Sequence, residues 1–204
     1  MILHHDAHLA VADKPAGLPA VPGRTEALQD CLWRRVQAEL PDALVVHRLD
    51  MATSGLMLFA RSAAVQRELG DAFAARQVRK RYVAVVAGRV GADRGEIDLP
   101  LAADWPNRPR QIVDRTRGKP ALTRYTVLER SAHATRLELE PWTGRSHQLR
   151  VHLAAIGHPI LGDALYAPDE ARAAAARLLL HASALAFAHP RDGEPFETSS
   201  AVPF

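Results

Sequence analysis

The stretch from Val45 to Ala60 most narrows what this chain can fold into. Two apolar pieces, Leu44 to Val46 and Leu56 to Ala60, read as buried strand segments. Between them stand His47, Arg48, Leu49, Asp50, Met51, Ala52, Thr53, Ser54 and Gly55. A cation and an anion two residues apart, held between apolar strands, each need a partner, because breaking a buried ion pair costs roughly 3–5 kcal/mol. The stretch therefore reads either as a surface turn with an ordinary ion pair or as chemistry mounted on a rigid scaffold, the usual way loops carry function.

A chain of 204 residues is ample for one core, and a single domain over 1–204 is expected. No apolar run reaches the 18 or more residues of a spanning helix, so no membrane partner is expected. The start, Met1 to Asp6, has neither a basic nor an apolar leader region, so no signal peptide is expected. One cysteine cannot close an internal disulfide, which fits a reducing cytoplasm. Net charge is only +3, yet Arg76 to Arg124 holds twelve basic residues against five acids, leaving the remainder slightly acidic. That asymmetry is the footprint of a nucleic-acid binder. All but three of the 26 basic residues are arginine, suited to bidentate phosphate contacts. The many alanines point to a GC-rich genome, which also inflates arginine.

Ile2-Leu3 and Leu9 to Ala12 read as a hairpin, and Asp13 to Pro19 as a loop enforced by two prolines and a glycine. Leu28, Leu32, Val36 and Leu40 predict a helix over 27–40, ended by Pro41, with Cys31 beside its apolar face as a packing residue. Ser62 is the expected N-cap of a helix running to about Arg76. Strands are expected over 78–88, 95–102, 121–130, 134–141, 178–188 and 194–199. Between the second and third of these, 104–111 holds two prolines, Arg108, Arg110 and Trp105. It reads as a loop or hairpin over a polyanion, or as a solvated charged face. A helix is expected over 146–156, closed by Gly157 and Pro159, and an Ala-rich one opens at Pro168.

No metal site is expected: His147, His152 and His158 lack helical zinc spacing, and His4, His5 and His8 have no thiolates nearby. There is no phosphate-binding glycine loop and no Gly-x-Ser-x-Gly elbow. What remains is Asp50, with Arg48 and Arg150 as candidate cations. An ion pair would keep this carboxylate ionised, which suits a nucleophile or base. A glycosidase would need a second carboxyl kept protonated, and none stands out.

The wording of several blocks resembles the RluA family of pseudouridine synthases. These are Lys14-Pro15-x-Gly17-Leu18, His47-Arg48-Leu49-Asp50 with Thr53-Ser54-Gly55-Leu56, Lys80-x-Tyr82-x-Ala84, Thr143-Gly144-Arg145-x-His147-Gln148-x-Arg150-x-His152, and Leu178 to Ala182. Asp104 to Pro109, with Gly118-Lys119-Pro120-Ala121, resembles the family's short RluA branch, which lacks an S4 domain. None is expected here, since the blocks begin by residue 9.

The resemblance implies a mixed α/β (α+β) fold: a mostly antiparallel, curved sheet with peripheral helices and a central basic cleft. It implies isomerisation of uridine to pseudouridine by cleaving N1–C1′, turning the base and joining C5 to C1′. Asp50 would be the catalytic carboxylate, leaving open whether it attacks C1′, adds to C6 or takes the C2′ proton. Arg150 would be its ion-pair partner, and Tyr82, otherwise a core aromatic, would stack on the base. Arg48 would fill the place of the flipped-out nucleotide.

Arg108, Arg110, Lys119, Arg145 and His147 are the further RNA-binding candidates; Arg145, His147 and Gln148 could instead brace the Arg150 helix. His47 and Leu49 would pack or orient the turn, and Ser54-Gly55 would shape it. The implied substrates are stem-loops, the anticodon-loop uridine of tRNA (position 32) and a hairpin uridine of 23S rRNA (position 746). They would be acted on by a cytoplasmic monomer with no cofactor. The rival readings are the same chemistry at another 23S rRNA site, a non-catalytic RNA-binding or chaperone protein on the same fold, and a metal-dependent hydrolase.

Overall fold

A computed structural model describes all 204 residues. In chain order the elements begin with β1 (Ile2–His5), β2 (Leu9–Lys14), α1 (Leu32–Glu39), β3 (Leu44–Val45), β4 (Ser54–Ala60) and α2 (Ala63–Ala74). There follow β5 (Arg79–Ala87), β6 (Arg94–Asp98), β7 (Leu101–Ala103), β8 (Gln111–Val113), β9 (Leu122–Arg130) and β10 (Ala134–Pro141). The chain closes with α3 (Gln148–Ala155), α4 (Asp169–Ala173), β11 (Leu180–Ala188) and β12 (Pro195–Ser199). The fold is mixed α/β, dominated by mostly antiparallel sheet. The chain divides into two compact units, Met1–Lys80 with Ala182–Pro203, and Arg81–His181 with Phe204.

In the first unit the strands run β1-β2-β4-β11, with β12 on β11 and β3 on β4. Every residue of β4 is buried. It is flanked by β2, in register from Leu9 opposite Ala60 to Lys14 opposite Gly55, and its far end also meets β3. Leu56, Leu58 and Ala60 join Leu9, Val11, Leu185 and Phe187 in a core that Val65 and Leu69 of α2 cover. Ser62 caps α2 as expected, its Oγ accepting the Val65 N–H at 3.2 Å. Gly55 could be no other residue. Its φ is +113°, and an added Cβ would lie 2.5 Å from the Ala182 backbone nitrogen and closer still to its carbonyl oxygen.

The predicted helix over 27–40 starts later than expected. Glu26–Leu28 is a short 3-10 turn, and α1 begins at Leu32 with Cys31 as its extended, fully buried N-cap. Backbone bonds from Leu32 to Pro19 and from Trp33 to Ala20 tie its first turn to the preceding loop. Tertiary anchoring thus overrides the apolar spacing of Leu28.

In the second unit the order is β5-β10-β9-β6, antiparallel throughout. The expected strand over 95–102 is broken after Asp98. Leu101 to Ala103 instead forms a separate two-stranded sheet with Gln111 to Val113, pairing Leu101 with Val113 and Ala103 with Gln111. Pro100 explains the break, since it has no N–H to continue the ladder. Leu101, Ala121 and Val151, with Val113 and Tyr166 against them, seat this hairpin on α3. The Ala-rich helix predicted from Pro168 is only five residues long.

Candidate active site

Asp50 sits in the loop between β3 and β4, half-buried, with Arg48 exposed and Leu49 buried on either side of the chain's turn. The loop is pinned from below. The Thr53 N–H donates to the Asp50 carbonyl at 3.1 Å, and the Gly17 N–H donates to the Met51 carbonyl at 2.8 Å. Lys14, wholly buried at the end of β2, donates from Nζ to the carbonyls of Met51 (3.0 Å), Leu18 (2.8 Å) and Pro15 (2.9 Å). One ammonium therefore ties the proline-glycine loop to the residue after Asp50. Sequence reading noticed this lysine only as lettering in a block; its burial depends on the β2–β4 pairing.

His47 has a different task. Because β3 stops at Val45, the Leu58 N–H faces no strand, and His47 Nε2 accepts it at 3.0 Å. Burial, and secondarily the nearby Lys80 ammonium, pull His47 down to a pKa of about 4, which keeps that nitrogen free to accept. Phe73 lies against the ring at 4.8 Å between centroids. His47 thus orients the turn. Burial also lowers the pKa of Lys80.

In the second unit, Tyr82 is half-buried on β5 opposite Leu139. Arg150 projects from α3 and is buried. Its Nε and Nη2 donate to both carboxylate oxygens of Asp163, at 2.8 and 2.6 Å, a bidentate pair with side chains 5% and 1% exposed. Asp163 Oδ1 also accepts the N–H groups of Leu165 (2.9 Å) and Tyr166 (3.2 Å), so the acid is fully engaged. Asp163 was not foreseen. The signal was present, however: it is the lone charge in the otherwise apolar run from Pro159 to Leu165.

Tyr166, also missed, is the hub of this unit. Its ring lies 5.1 Å from the Arg150 guanidinium and 5.4 Å from that of Arg110. Its hydroxyl accepts the Gln111 N–H at 2.8 Å and meets His147 Nδ1 at 2.6 Å. Two RNA-binding candidates and Arg150 are thus gathered on one phenol. His147 is the N-cap of α3 in a left-handed conformation, φ 54°. Gln148 braces the same turn: Oε1 accepts from Thr143 Oγ1 (2.7 Å) and the Arg145 N–H (3.0 Å). Its Nε2 donates to the Leu122 carbonyl and Thr123 Oγ1, both at 3.0 Å. Arg145 Nε reaches the Pro120 carbonyl at 3.1 Å, and Lys119 pairs its backbone with Leu101. Arg108 lies over Trp105, 3.3 Å from the ring centroid. His152, raised above only to be set aside as a ligand, is structural, bonded to Thr123 Oγ1 and the Leu99 carbonyl, both at 2.9 Å.

Comparison with known proteins assigns the class, an RNA-modifying isomerase. The profile of the RNA pseudouridylate synthase family matches residues 8–155, and the chain belongs to that family. More particularly, the chain is 53% identical over 194 residues to the dual-specificity RNA pseudouridine synthase RluA of Escherichia coli K12, covering 95% of this chain and 89% of that protein. It is 51% identical over 196 residues to the Yersinia pestis protein of the same name, covering 96% and 95%. Among solved structures, human RNA pseudouridylate synthase domain containing 1 superposes with a TM-score of 0.83 at 28% identity, covering all of this chain and 83% of that one. Human domain containing 4 superposes with a TM-score of 0.79 at 26% identity, covering 99% and 88%. The chain is an RNA pseudouridine synthase, an isomerase.

Proposed function

We propose that Asp50 is the catalytic carboxylate with which this chain converts a uridine in an RNA stem-loop to pseudouridine. We further propose that it acts on both a tRNA anticodon-loop uridine (position 32) and a 23S rRNA hairpin uridine (position 746). The observation that carries the reading is the backing of the turn. Lys14 Nζ and the Gly17 N–H converge on the Met51 carbonyl, so the neighbouring carboxylate is held on rigid backbone while remaining half-exposed. Positioning of this kind is worth several orders of magnitude in rate. Relatives above 50% identity are named as dual-specificity enzymes, which supports action on two RNAs.

In this reading Arg150, held by Asp163, is the ion-pair partner of Asp50, and Tyr82 stacks on the base. Arg48 occupies the place vacated when the nucleotide is extruded, a step costing a few kcal/mol. The N1–C1′ bond breaks, a C5–C1′ bond forms, the C5 proton is removed with help from Tyr82, and N1 gains a proton, so the product is an isomer of the substrate. The substrate supplies both atoms to be joined, so the chemistry calls for no cofactor. Arg108, Arg110, Lys119, Arg145 and His147 contact the RNA, and the enzyme works as a cytoplasmic monomer.

The test is Asp50→Asn assayed on a tRNA anticodon stem-loop and a 23S rRNA hairpin. Pseudouridine should vanish while RNA affinity is largely kept. An unchanged yield would exclude Asp50 as the catalytic carboxylate, whereas RNA binding without pseudouridine from the wild type itself would favour a role as an RNA-binding protein. Mapping pseudouridines in RNA from a deletion strain identifies the sites; a missing modification elsewhere in 23S rRNA would replace the proposed targets.

A further inference from the structure

Trp105 is 70% exposed, the most exposed large hydrophobic residue of the chain, yet it stands on an ordered loop. The tip of the β7–β8 hairpin is fixed by backbone bonds from Asp104 to Arg110 (3.0 Å), Asn107 to Asp104 (3.1 Å) and Arg110 to Asn107 (3.0 Å). A side-chain bond from Asn107 Nδ2 to Asp104 Oδ2 (3.0 Å) adds a fourth tie. Where the loop rejoins β8, the Gln111 N–H is held by Tyr166. An indole presented this way is displayed by the backbone, not left over by disorder.

The other two tryptophans show the contrast. Trp33 buries its N–H on the Ala43 carbonyl at 2.9 Å. Trp142 lies under Arg124, but that guanidinium is neutralised by Glu96 at 2.7 Å. Arg108, 3.3 Å from the Trp105 centroid, has no carboxylate partner. From 104 to 119 the chain carries five cations against two acids, and of the five only Arg117 is paired, with Asp114 at 3.1 Å.

A cation alone would serve a phosphate. A flat aromatic surface with an unneutralised planar cation on it serves a base, whose own face is reachable only when it is unpaired. We propose that Trp105, with Arg108, is a stacking platform for an unpaired loop base of the RNA substrate, distinct from the uridine being isomerised. This rests on the stem-loop reading above and adds a second nucleotide contact that helps to select loops over duplex.

The test uses the full chain with wild-type, Trp105→Ala and Trp105→Phe proteins. Trp105→Ala should raise KM for the stem-loop about tenfold with kcat unchanged, and Trp105→Phe should fall between. Abasic nucleotides placed one at a time around the loop locate the partner. At one position other than the target, loss of the base should weaken the wild type about as much as Trp105→Ala does, and should weaken Trp105→Ala no further. Additive losses at every position, or an unchanged KM in Trp105→Ala, would overturn the platform. Tryptophan emission gives a readout independent of turnover: RNA should quench wild type more than Trp105→Phe, and equal quenching would again overturn it. If the wild type makes no pseudouridine in either stem-loop, the functional reading fails, while the quenching difference still decides the platform.

Discussion

Replacing Lys14 by methionine should separate catalysis from stability. The ammonium donates to three carbonyls, of which Met51 would keep its second donor, the Gly17 N–H, and Pro15 and Leu18 would each lose one. The buried Leu18 carbonyl stripped of its donor costs about 1–3 kcal/mol, while that of Pro15, an exposed residue, can turn to water. Against this, methionine removes a wholly buried charge whose desolvation costs several kcal/mol. The two effects largely offset, and a net change within about 2 kcal/mol is expected. Catalysis has no such compensation, because one of the two ties on the residue after Asp50 is gone. A displacement of about 1 Å at a reacting group costs on the order of 100-fold in rate. Tritium release from RNA labelled at uridine C5 reports turnover, and a urea midpoint reports stability. We expect kcat to fall 10- to 100-fold in a protein that is still folded at assay temperature. A folded Lys14→Met enzyme with kcat within about threefold of wild type would refute the idea that this lysine holds the catalytic turn.

Three further outcomes follow from the geometry. Asp163→Asn leaves the buried Arg150 without its bidentate carboxylate and should cost about 3–5 kcal/mol in thermal or urea unfolding; a stability within 1 kcal/mol of wild type, the scale of an exposed pair, would mean that the pair carries little. His47 gains its proton near 6.5 when unfolded but only near about 4 when folded. Its contribution is therefore intact above pH 6.5 and is lost as pH falls toward 4, by about 3 kcal/mol, and His47→Gln should flatten the urea midpoint across that window relative to wild type. Gly55→Ala drives a methyl into the Ala182 backbone at a strained φ and should destabilise by about 3 kcal/mol or more, seen as loss of soluble protein or a lowered melting temperature.

Much of the site could be read in the residues themselves, and what could not has a common cause. The His47 to Asp50 stretch, the Thr143 to His152 block and the basic hairpin stand out because unusual polar residues interrupt apolar periodicity. Ser62 was visible as a cap for the same local reason. Asp163 stood out only as a lone charge, and neither its role nor that of Tyr166 could be read, because their partners lie thirteen and nineteen residues away, on Arg150 and His147, across a loop with no period to follow. Lys14 stood out only as part of a motif, because nothing local says that β4 will bury it. The late start of α1 and the break at Pro100 show the limits of spacing: four aliphatic residues at helical intervals did not outweigh the bonds that Leu32 and Trp33 donate to the Pro19 and Ala20 carbonyls, and a strand pattern did not survive a missing N–H.

The division of the chain has a consequence for how the molecule comes into being. The unit that carries Asp50 is assembled from both ends of the sequence, 1–80 and 182–203, whereas the unit around Arg150 is almost wholly one continuous run, 81–181. On a ribosome the interrupted unit must wait: β4, with Gly55 shaped to receive Ala182, has its β11 neighbour delivered only after about nine-tenths of the polypeptide has been made. Until then its most apolar strand is an open edge, so nascent chains stalled before residue 182 should be the aggregation-prone species, and should be bound by chaperones.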